Sequence, residues 1–247
     1  MPGFVEIDLV GHEGGDPSGD FCRTLSVTDI ATTWTEPRAV RNKAQKWVFA
    51  ALNEIVAAFP FDVLGIDSDN GGEFINDQLL RHCNDNEITF TRSRPGNKND
   101  GCHVEEKNWS VVRQAVGYHR YDTERELLLL NEIYALLRLQ INFFSPHQKL
   151  VSKVREGAKV TKRYDIAATA YQRVLADETI PQPVNDELTR QYRSLNPAQF
   201  RRDIIALSGQ LLDLVKAKHQ LARLPVAEPS RSRAKSDEAT KPRSRAS

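Results

Sequence analysis

The sequence has little of what marks secreted, zinc-binding or membrane-spanning proteins. Its 247 residues include three cysteines, Cys22, Cys83 and Cys102, whose spacing is typical of neither a disulfide framework nor a zinc site. No apolar run approaches the roughly 18 residues of a membrane span, and no signal peptide is recognisable after Met1. These absences favour a cytoplasmic protein with reduced thiols and without a membrane partner.

The sequence also lacks an excess of charge of either sign. Lysine and arginine number 34 and the acids 33, so the formal net charge is +1. Such a chain has no global field that would attract nucleic acid, and any DNA contact must come from local basic patches. The hydrophobic fraction of 40% is enough for one sizeable core.

The first 145 or so residues predict a mixed sheet with helices on its faces. Phe4 to Gly11 alternates, which predicts a strand whose apolar residues share one face while Glu6 and Asp8 share the other. The further predicted elements are two strands over 21–34 with a break near Thr28 and Asp29, a helix over 43–59 capped by Asn42, a strand over 61–66, a helix over 72–84, a strand over 88–91, and helices over 103–118 and 127–144. Three early strands followed by strands joined through helices indicate antiparallel pairing first and parallel crossovers later.

The remaining residues predict appendages to this core, which covers 1–148. The segment 149–180 is basic and carries a short helix over 169–177. After a linker at 181–183, a helical extension covers 184–225, with a long helix from Pro197 to about Leu224 whose near-heptad apolar pattern is interrupted by Lys218. Residues 226–247 have no core-forming side chains and are predicted to be a disordered basic tail.

Carboxylates are the candidate chemical groups. The strand over 61–66 runs into GIDSDNGGEF, where Asp67 and Asp69 share one face of an extended chain. Asp8, Asp69 and a glutamate at the start of the helix after the basic loop could meet and hold two Mg²⁺ or Mn²⁺ ions for phosphodiester chemistry. Glu105 is the better third ligand, because it lies beside the apolar stripe of its helix and Glu106 turns towards solvent.

These residues together resemble the catalytic core of the retroviral integrase superfamily, which includes many insertion-sequence transposases. Asp8, Asp69 in SDNGGEF and Glu105 in HVEEKN are similar to its DDE triad, and 35 residues separate Asp69 from Glu105. The D-N-G-x-x-F pattern matches from Asp69 and the V-E-x-x-N pattern ends at Asn108.

The resemblance implies an α/β fold, a ribonuclease H-like mixed five-stranded sheet flanked by helices, here with a C-terminal helical extension. It implies DNA strand cleavage and strand transfer, with Asp8, Asp69 and Glu105 as catalytic residues and as ligands of two Mg²⁺ (or Mn²⁺) ions. The implied partners are transposon ends, target DNA and further copies of the chain, and no nucleotide cofactor is expected. Members of this family carry an N-terminal helix-turn-helix region, which we expect to be missing because Asp8 lies so close to Met1.

Basic residues predict where DNA would lie. Lys98, Asn99, Lys107, Asn108 and Arg113 are placed to contact phosphate near the third carboxylate. The 149–163 segment is a second candidate for contact with the DNA backbone, because a single acid accompanies Lys149, Lys153, Arg155, Lys159, Lys162 and Arg163. A solvated charged loop is the alternative for that segment. Asp67 could support the metal ligands or simply form hydrogen bonds, and His12 and His103 are more typical of packing than of metal binding.

Two other functions stay open. A truncated transposase that lacks its end-binding region could bind DNA or join full-length subunits without catalysis. A ribonuclease H-like nuclease would cut DNA without joining it.

Overall fold

The computed structural model describes residues 1–68, 77–92, 104 and 107–222. Its main sheet contains β1 (Phe4–Gly11), β2 (Arg23–Asp29), β3 (Thr35–Val40), β4 (Gly65–Ser68) and β5 (Thr89–Arg92), in the order β3-β2-β1-β4-β5. The first three strands pair antiparallel, whereas β4 lies parallel to both β1 and β5. The predicted mixed five-stranded sheet is therefore confirmed.

Helices cover this sheet and extend beyond it. They are α1 (Gln45–Ala58), α2 (Asp77–Asp85), α3 (a π-helix over Asn108–Arg113 that continues as Gln114–Val116), α4 (Glu124–Phe144), α5 (Ala170–Leu175), α6 (Gln182–Ser194) and α7 (Pro197–Ala222). A separate antiparallel hairpin of β6 (Leu150–Glu156) and β7 (Lys159–Tyr164) lies between α4 and α5.

The alternation of β1 divides its side chains between two apolar clusters. Val5, Ile7 and Leu9 belong to the cluster that includes Leu52 and Ile55 of α1. Val10 belongs to the other cluster, in which buried residues of α3, α4 and α7 meet. Glu6 and Asp8 therefore face the side of the sheet on which α3 packs, because side chains two residues apart share a face.

The prediction of two strands over 21–34 was wrong in its second strand. The chain turns after Asp29, whose buried carboxylate accepts hydrogen bonds from the backbone N–H of Gly3 at 2.8 Å and of Thr32 at 2.6 Å. The next strand, β3, covers Thr35–Val40, for which no strand was predicted, because TEPRAV contains a proline and two charged residues.

Other predicted boundaries also differ from the structure. The strand predicted over 61–66 is β4, over Gly65–Ser68. Helix α1 begins after Ala44, and Asn42 accepts from the N–H of Ala44 at 3.0 Å instead of capping the helix. The 181–183 linker is wrong: Pro183 lies in the first turn of α6, a position that proline favours because its missing N–H has no partner there. The basic segment after Lys149 forms the β6–β7 hairpin, not a loop.

Helix α4 begins three residues before its predicted start because Thr123 and Glu126 form a capping box. Among the described helices it is the one long and apolar enough, by length and composition alone, to cross a membrane. In this fold it packs between β3 and α7, and residues such as Leu130 and Ile133 are fully buried. Its apolar composition is therefore that of a core helix.

The outer edge of β3 bonds to side chains of α4. Asn142 accepts from the N–H of Thr35 and donates to its carbonyl, both at 2.9 Å. Asn131 forms the same pair with Ala39, at 2.9 and 3.1 Å. Between these two positions, Pro37 has no N–H to offer.

Lys218 explains the interruption in the apolar pattern of α7. It follows the buried Ile204 and Leu211 at intervals of seven, so it faces α4 as they do. Its ammonium donates to Asp122 at 2.8 Å and to the fully buried Glu126 at 3.0 Å. Burial lowers the pKa of Lys218, but the hydrogen bonds that its ammonium donates to Asp122 and Glu126, and the negative charges of these two acids, outweigh this and raise the pKa overall.

We expect Lys218→Met to lower the free energy of unfolding by about 2 kcal/mol, because it leaves the Glu126 carboxylate buried without its cation. The matched control is Lys216→Met on the same helix, where the lysine and its partner Asp213 are 61% and 74% exposed. That change should cost less than about 0.5 kcal/mol. Urea denaturation followed by circular dichroism compares the two, and equal midpoints would contradict the assignment.

Candidate functional site

Asp8 is the one partly exposed residue in an otherwise buried stretch of β1. From Val5 to Val10, every residue of β1 except Asp8 is buried. Its Oδ1 accepts from the N–H of Leu9 at 2.7 Å, and its Oδ2 accepts from Nδ2 of Asn108 at 2.5 Å. A carboxylate that such hydrogen bonds hold in one orientation, and that is only partly buried, can bind a cation.

Val104 and helix α3 contact β1 at successive positions. The N–H of Val104 donates to Oε2 of Glu6 at 3.0 Å, and Asn108 donates to Asp8. Further along, Nη2 of Arg113 donates to the carbonyl of Gly11 at 2.7 Å.

The spacing of the first two contacts follows from the geometry of a strand. Two residues of a strand extend about 7 Å and place their side chains on the same face. Val104 and Asn108 therefore contact the same face of β1, at Glu6 and Asp8.

The neighbouring strand ends close to Asp8. β4 pairs with β1 so that Ser68, its last residue, lies beside Ile7, and Asp67 lies beside Glu6. Oδ1 of Asp67 accepts from the hydroxyl of Thr91 on β5 at 2.5 Å. This contact supports the hydrogen-bonding interpretation of Asp67.

His12, just beyond β1, packs in the core and forms hydrogen bonds there. It is fully buried, and its Nε2 lies 2.7 Å from the hydroxyl of Thr24, which in turn lies 2.7 Å from that of Tyr134. Burial, with the charges of Arg113 and Arg23, lowers the pKa of His12 to about 3. The imidazole is therefore neutral at pH 7.

Several predicted site residues lie outside the described residues. They are Asp69, Lys98, Asn99, His103, Glu105 and Glu106. Of the predicted triad, the structure therefore describes Asp8 alone.

Two residues predicted to contact DNA bind β1 instead. Asn108 donates to Asp8, and Arg113 donates to the carbonyl of Gly11 at the end of β1. The guanidinium of Arg113 also lies 4.6 Å from the ring centre of Tyr118.

Lys107 and Lys149, two of the predicted DNA contacts, differ in their surroundings. Burial and then the positive charge of Lys107 lower the pKa of His147 to about 4. The ammonium of Lys149 donates to the carbonyls of Ile30 at 2.6 Å and Ala31 at 2.7 Å. Lys149 thus attaches the base of the hairpin to the β2–β3 turn.

The other predicted DNA contacts on this segment are all exposed on the hairpin. They are Lys153, Arg155, Lys159, Lys162 and Arg163.

The described residues supply only part of a metal site. Over 1–68, 77–92, 104 and 107–222, no group of three carboxylate, histidine or cysteine side chains could hold a metal ion. The oxygen donors near the proposed site, Asp8 and Asp67, are of the hard type that Mg²⁺ prefers. The donor set therefore fits Mg²⁺ and requires ligands from residues not described.

Sequence reasoning missed Glu6. Its side chain is 6% exposed, and it accepts the N–H of the residue that precedes Glu105. The strand alternation placed Glu6 on the same face of β1 as Asp8. A second acid on that face was the feature of the sequence that could have indicated a role for Glu6. The contact with Val104 joins residues 98 positions apart, so it required the fold.

Known proteins are similar to this chain over part of its length. Residues 2–98 match the family model described as integrase core domain. A protein of Sinorhizobium fredii strain NGR234, described as "Uncharacterized protein y4rM", is 43% identical over 164 residues, which make up 66% of this chain. The matched region spans 47% of that protein's length.

Solved integrase structures are similar in fold. A chain of the simian T-cell lymphotropic virus intasome in complex with PP2A regulatory subunit B56 gamma aligns with a TM-score of 0.53 at 14% identity, over 73% of this chain and 57% of that chain. The catalytic core of BIV integrase (TM-score 0.43, 15% identity, 57% and 83% covered) and the magnesium complex of the HTLV-2 integrase core (0.45, 12%, 60% and 91%) are more distant. The family match and the strand order lead to one conclusion. Residues 2–98 of this chain are similar to the integrase core domain, and the chain has the ribonuclease H-like fold of integrase catalytic cores.

Proposed function

We propose that this protein is the catalytic region of a transposase that cleaves DNA phosphodiester bonds and joins the freed 3′ ends to target DNA. The proposal rests on the structural environment of Asp8. It is the half-exposed carboxylate of a buried strand in an integrase core domain, and it is held by the helix that follows Glu105. Asp69 and Glu105 complete the proposed triad.

In this proposal the three carboxylates hold two Mg²⁺ ions. Bound there, the ions would supply Lewis-acid stabilisation of the attacking and leaving oxygens. The protein contributes fixed geometry, because the bonds from Leu9 and Asn108 hold the carboxylate of Asp8 in one orientation. Glu6 acts as a positioning residue, since it anchors the backbone next to Glu105 on β1.

The proposed partners are duplex DNA and further copies of this chain. Lys98, Asn99 and Lys107 would contact phosphates near the carboxylates, and some of the exposed cations of the hairpin would contact DNA farther away. Transposition joins two DNA ends, so we propose that at least two copies act together, in the cytoplasm of the host.

The experiment that tests this function is joining of a pre-cut oligonucleotide duplex with a recessed 3′-hydroxyl to a supercoiled plasmid. We expect joined product in Mg²⁺ or Mn²⁺, and none after chelation by EDTA. Because the end sequence that the protein recognises is unidentified, a pool of duplexes with randomised ends is the substrate, and the joined ends are sequenced.

The two products of the assay separate the alternatives. Joined product supports the transferase. Nicked plasmid without joining supports a ribonuclease H-like nuclease. Shifted DNA with neither product, in both metals, contradicts an enzymatic role for this chain and supports a binding or regulatory one.

A further inference from the structure

The β6–β7 hairpin is exposed along its whole length. Every residue from Leu150 to Tyr164 is exposed, although an isolated two-stranded hairpin is only marginally stable in water. Five cations and the single acid Glu156 lie in this stretch, while the whole chain carries a net charge of +1. The hairpin therefore concentrates positive charge on an element that contributes little to the core.

Strand register divides that charge unequally between the two faces of the hairpin. Lys153 pairs directly with Lys162, and Arg155 pairs with Val160. Paired residues share a face, and so do residues two apart in a strand. One face therefore carries Lys153, Arg155 and Lys162 with no acid, and we name it the lysine face.

The opposite face is nearly neutral. Its paired residues are Ser152 with Arg163, Val154 with Thr161, and Glu156 with Lys159. Glu156 compensates the charge of Lys159 directly across the strands, so Arg163 is the remaining cation of this face. This opposite face provides an internal control for the lysine face.

The pairing of Lys153 with Lys162 is unfavourable in the free protein, because like charges directly opposite each other repel. A phosphate placed between the two ammonium groups would remove that repulsion and bond to both. Arg155, two residues from Lys153 on the same face, is placed to contact an adjacent phosphate. A two-stranded ribbon is also narrow enough to enter the major groove of B-DNA.

We propose that the lysine face of the β6–β7 hairpin binds the phosphate backbone of duplex DNA and that the opposite face does not. This assignment rests on the DNA-directed function proposed above and identifies which surface holds the DNA. The bonds formed are ionic and independent of base sequence, because they go to phosphate alone. The proposed catalytic carboxylates take no part in them.

The test compares two double variants that each remove two positive charges from the same hairpin. Lys153→Gln with Lys162→Gln alters the lysine face, and Lys159→Gln with Arg163→Gln alters the opposite face. Binding to a fluorescent duplex of arbitrary sequence is measured by anisotropy from 50 to 300 mM KCl. EDTA is present throughout, so that no metal-dependent cleavage occurs.

We expect the lysine-face variant to bind roughly tenfold or more weakly near 0.1 M salt, and the slope of log affinity against log salt to fall by about 1.8. The opposite-face variant should bind within about twofold of wild type, with its slope nearly unchanged. Thermal melting of both variants should match wild type, because the exposed hairpin adds little to the core.

Equal losses in the two variants, or no loss in either, would overturn the assignment, as would a wild-type protein that does not bind the duplex. The outcome is separate from that of the proposed catalysis. A protein that binds DNA through the lysine face but yields no joined product would refute the transferase and leave this assignment standing. If the lysine-face variant still joins DNA and binds the duplex with unchanged affinity, the transferase is supported and this assignment is refuted.

Discussion

Replacing Asp8, Asp69 or Glu105 by its amide is expected to lower the rate of Mg²⁺-dependent joining by about a thousandfold or more. Each substitution removes one negative charge and one oxygen ligand. Stabilisation of transition-state charge by bound metal amounts to several kcal/mol, and about 4 kcal/mol corresponds to a factor of about a thousand in rate. Single-turnover rates of joining, measured over a range of Mg²⁺ concentrations, give the effect of each change.

Asp8→Asn is the most informative of the three, because the surroundings of Asp8 are described. Its amide keeps an oxygen that can accept the bond from Asn108, so we expect the fold to survive. The matched control is Asp62→Asn, the same substitution at an exposed acid just before β4. A wild-type rate in Asp8→Asn, or an equal loss in Asp62→Asn, would show that Asp8 is not a catalytic ligand.

The largest effect on stability is expected from Arg138→Met in α4. The guanidinium forms a two-bond ion pair with Glu36 of β3, in which Nη2 lies 2.7 Å from Oε1 and Nε contacts Oε2. The Glu36 side chain is 3% exposed, and the indole of Trp34 donates to it at 2.8 Å. Without the guanidinium the buried carboxylate loses its counter-charge, and we expect the free energy of unfolding to fall by about 3 kcal/mol.

The control for this change is Arg125→Met, at an exposed position near the start of the same helix. It should alter stability by less than about 0.5 kcal/mol. Adding Glu36→Gln to Arg138→Met should recover part of the loss, because the double variant no longer buries an unpaired charge. Denaturation midpoints that are the same for Arg125→Met and Arg138→Met would refute the proposed role of the ion pair.

Local patterns were sufficient to predict the centre of the fold. The alternation of β1 placed Asp8 on the correct face, and the apolar spacing of α1 and α4 predicted both helices. β3 could not be predicted in this way, because TEPRAV lacks a strand pattern of its own. Its outer N–H groups bond to Asn131 and Asn142, about a hundred residues later in the chain.

The hairpin carried a signal that went unused. LVSKVREGAKVTKRY has Val154 and Val160 on either side of a turn, and Gly157 in that turn has a φ of +61°, which glycine adopts readily. The role of Lys149 had no such signal. The ammonium of Lys149 binds the carbonyls of Ile30 and Ala31. The sequence alone does not distinguish such a lysine from one that binds phosphate.

The bonding of β3 to α4 bears on how copies of this protein could associate. A strand at the end of a sheet normally offers a free row of backbone groups to which another chain can add a strand. On β3 the asparagines occupy that row at Thr35 and Ala39, and Pro37 interrupts it. Continuous sheets that run from one copy into the next are therefore blocked at this end. Assembly at the β3 side of the main sheet therefore requires contacts other than the addition of a strand.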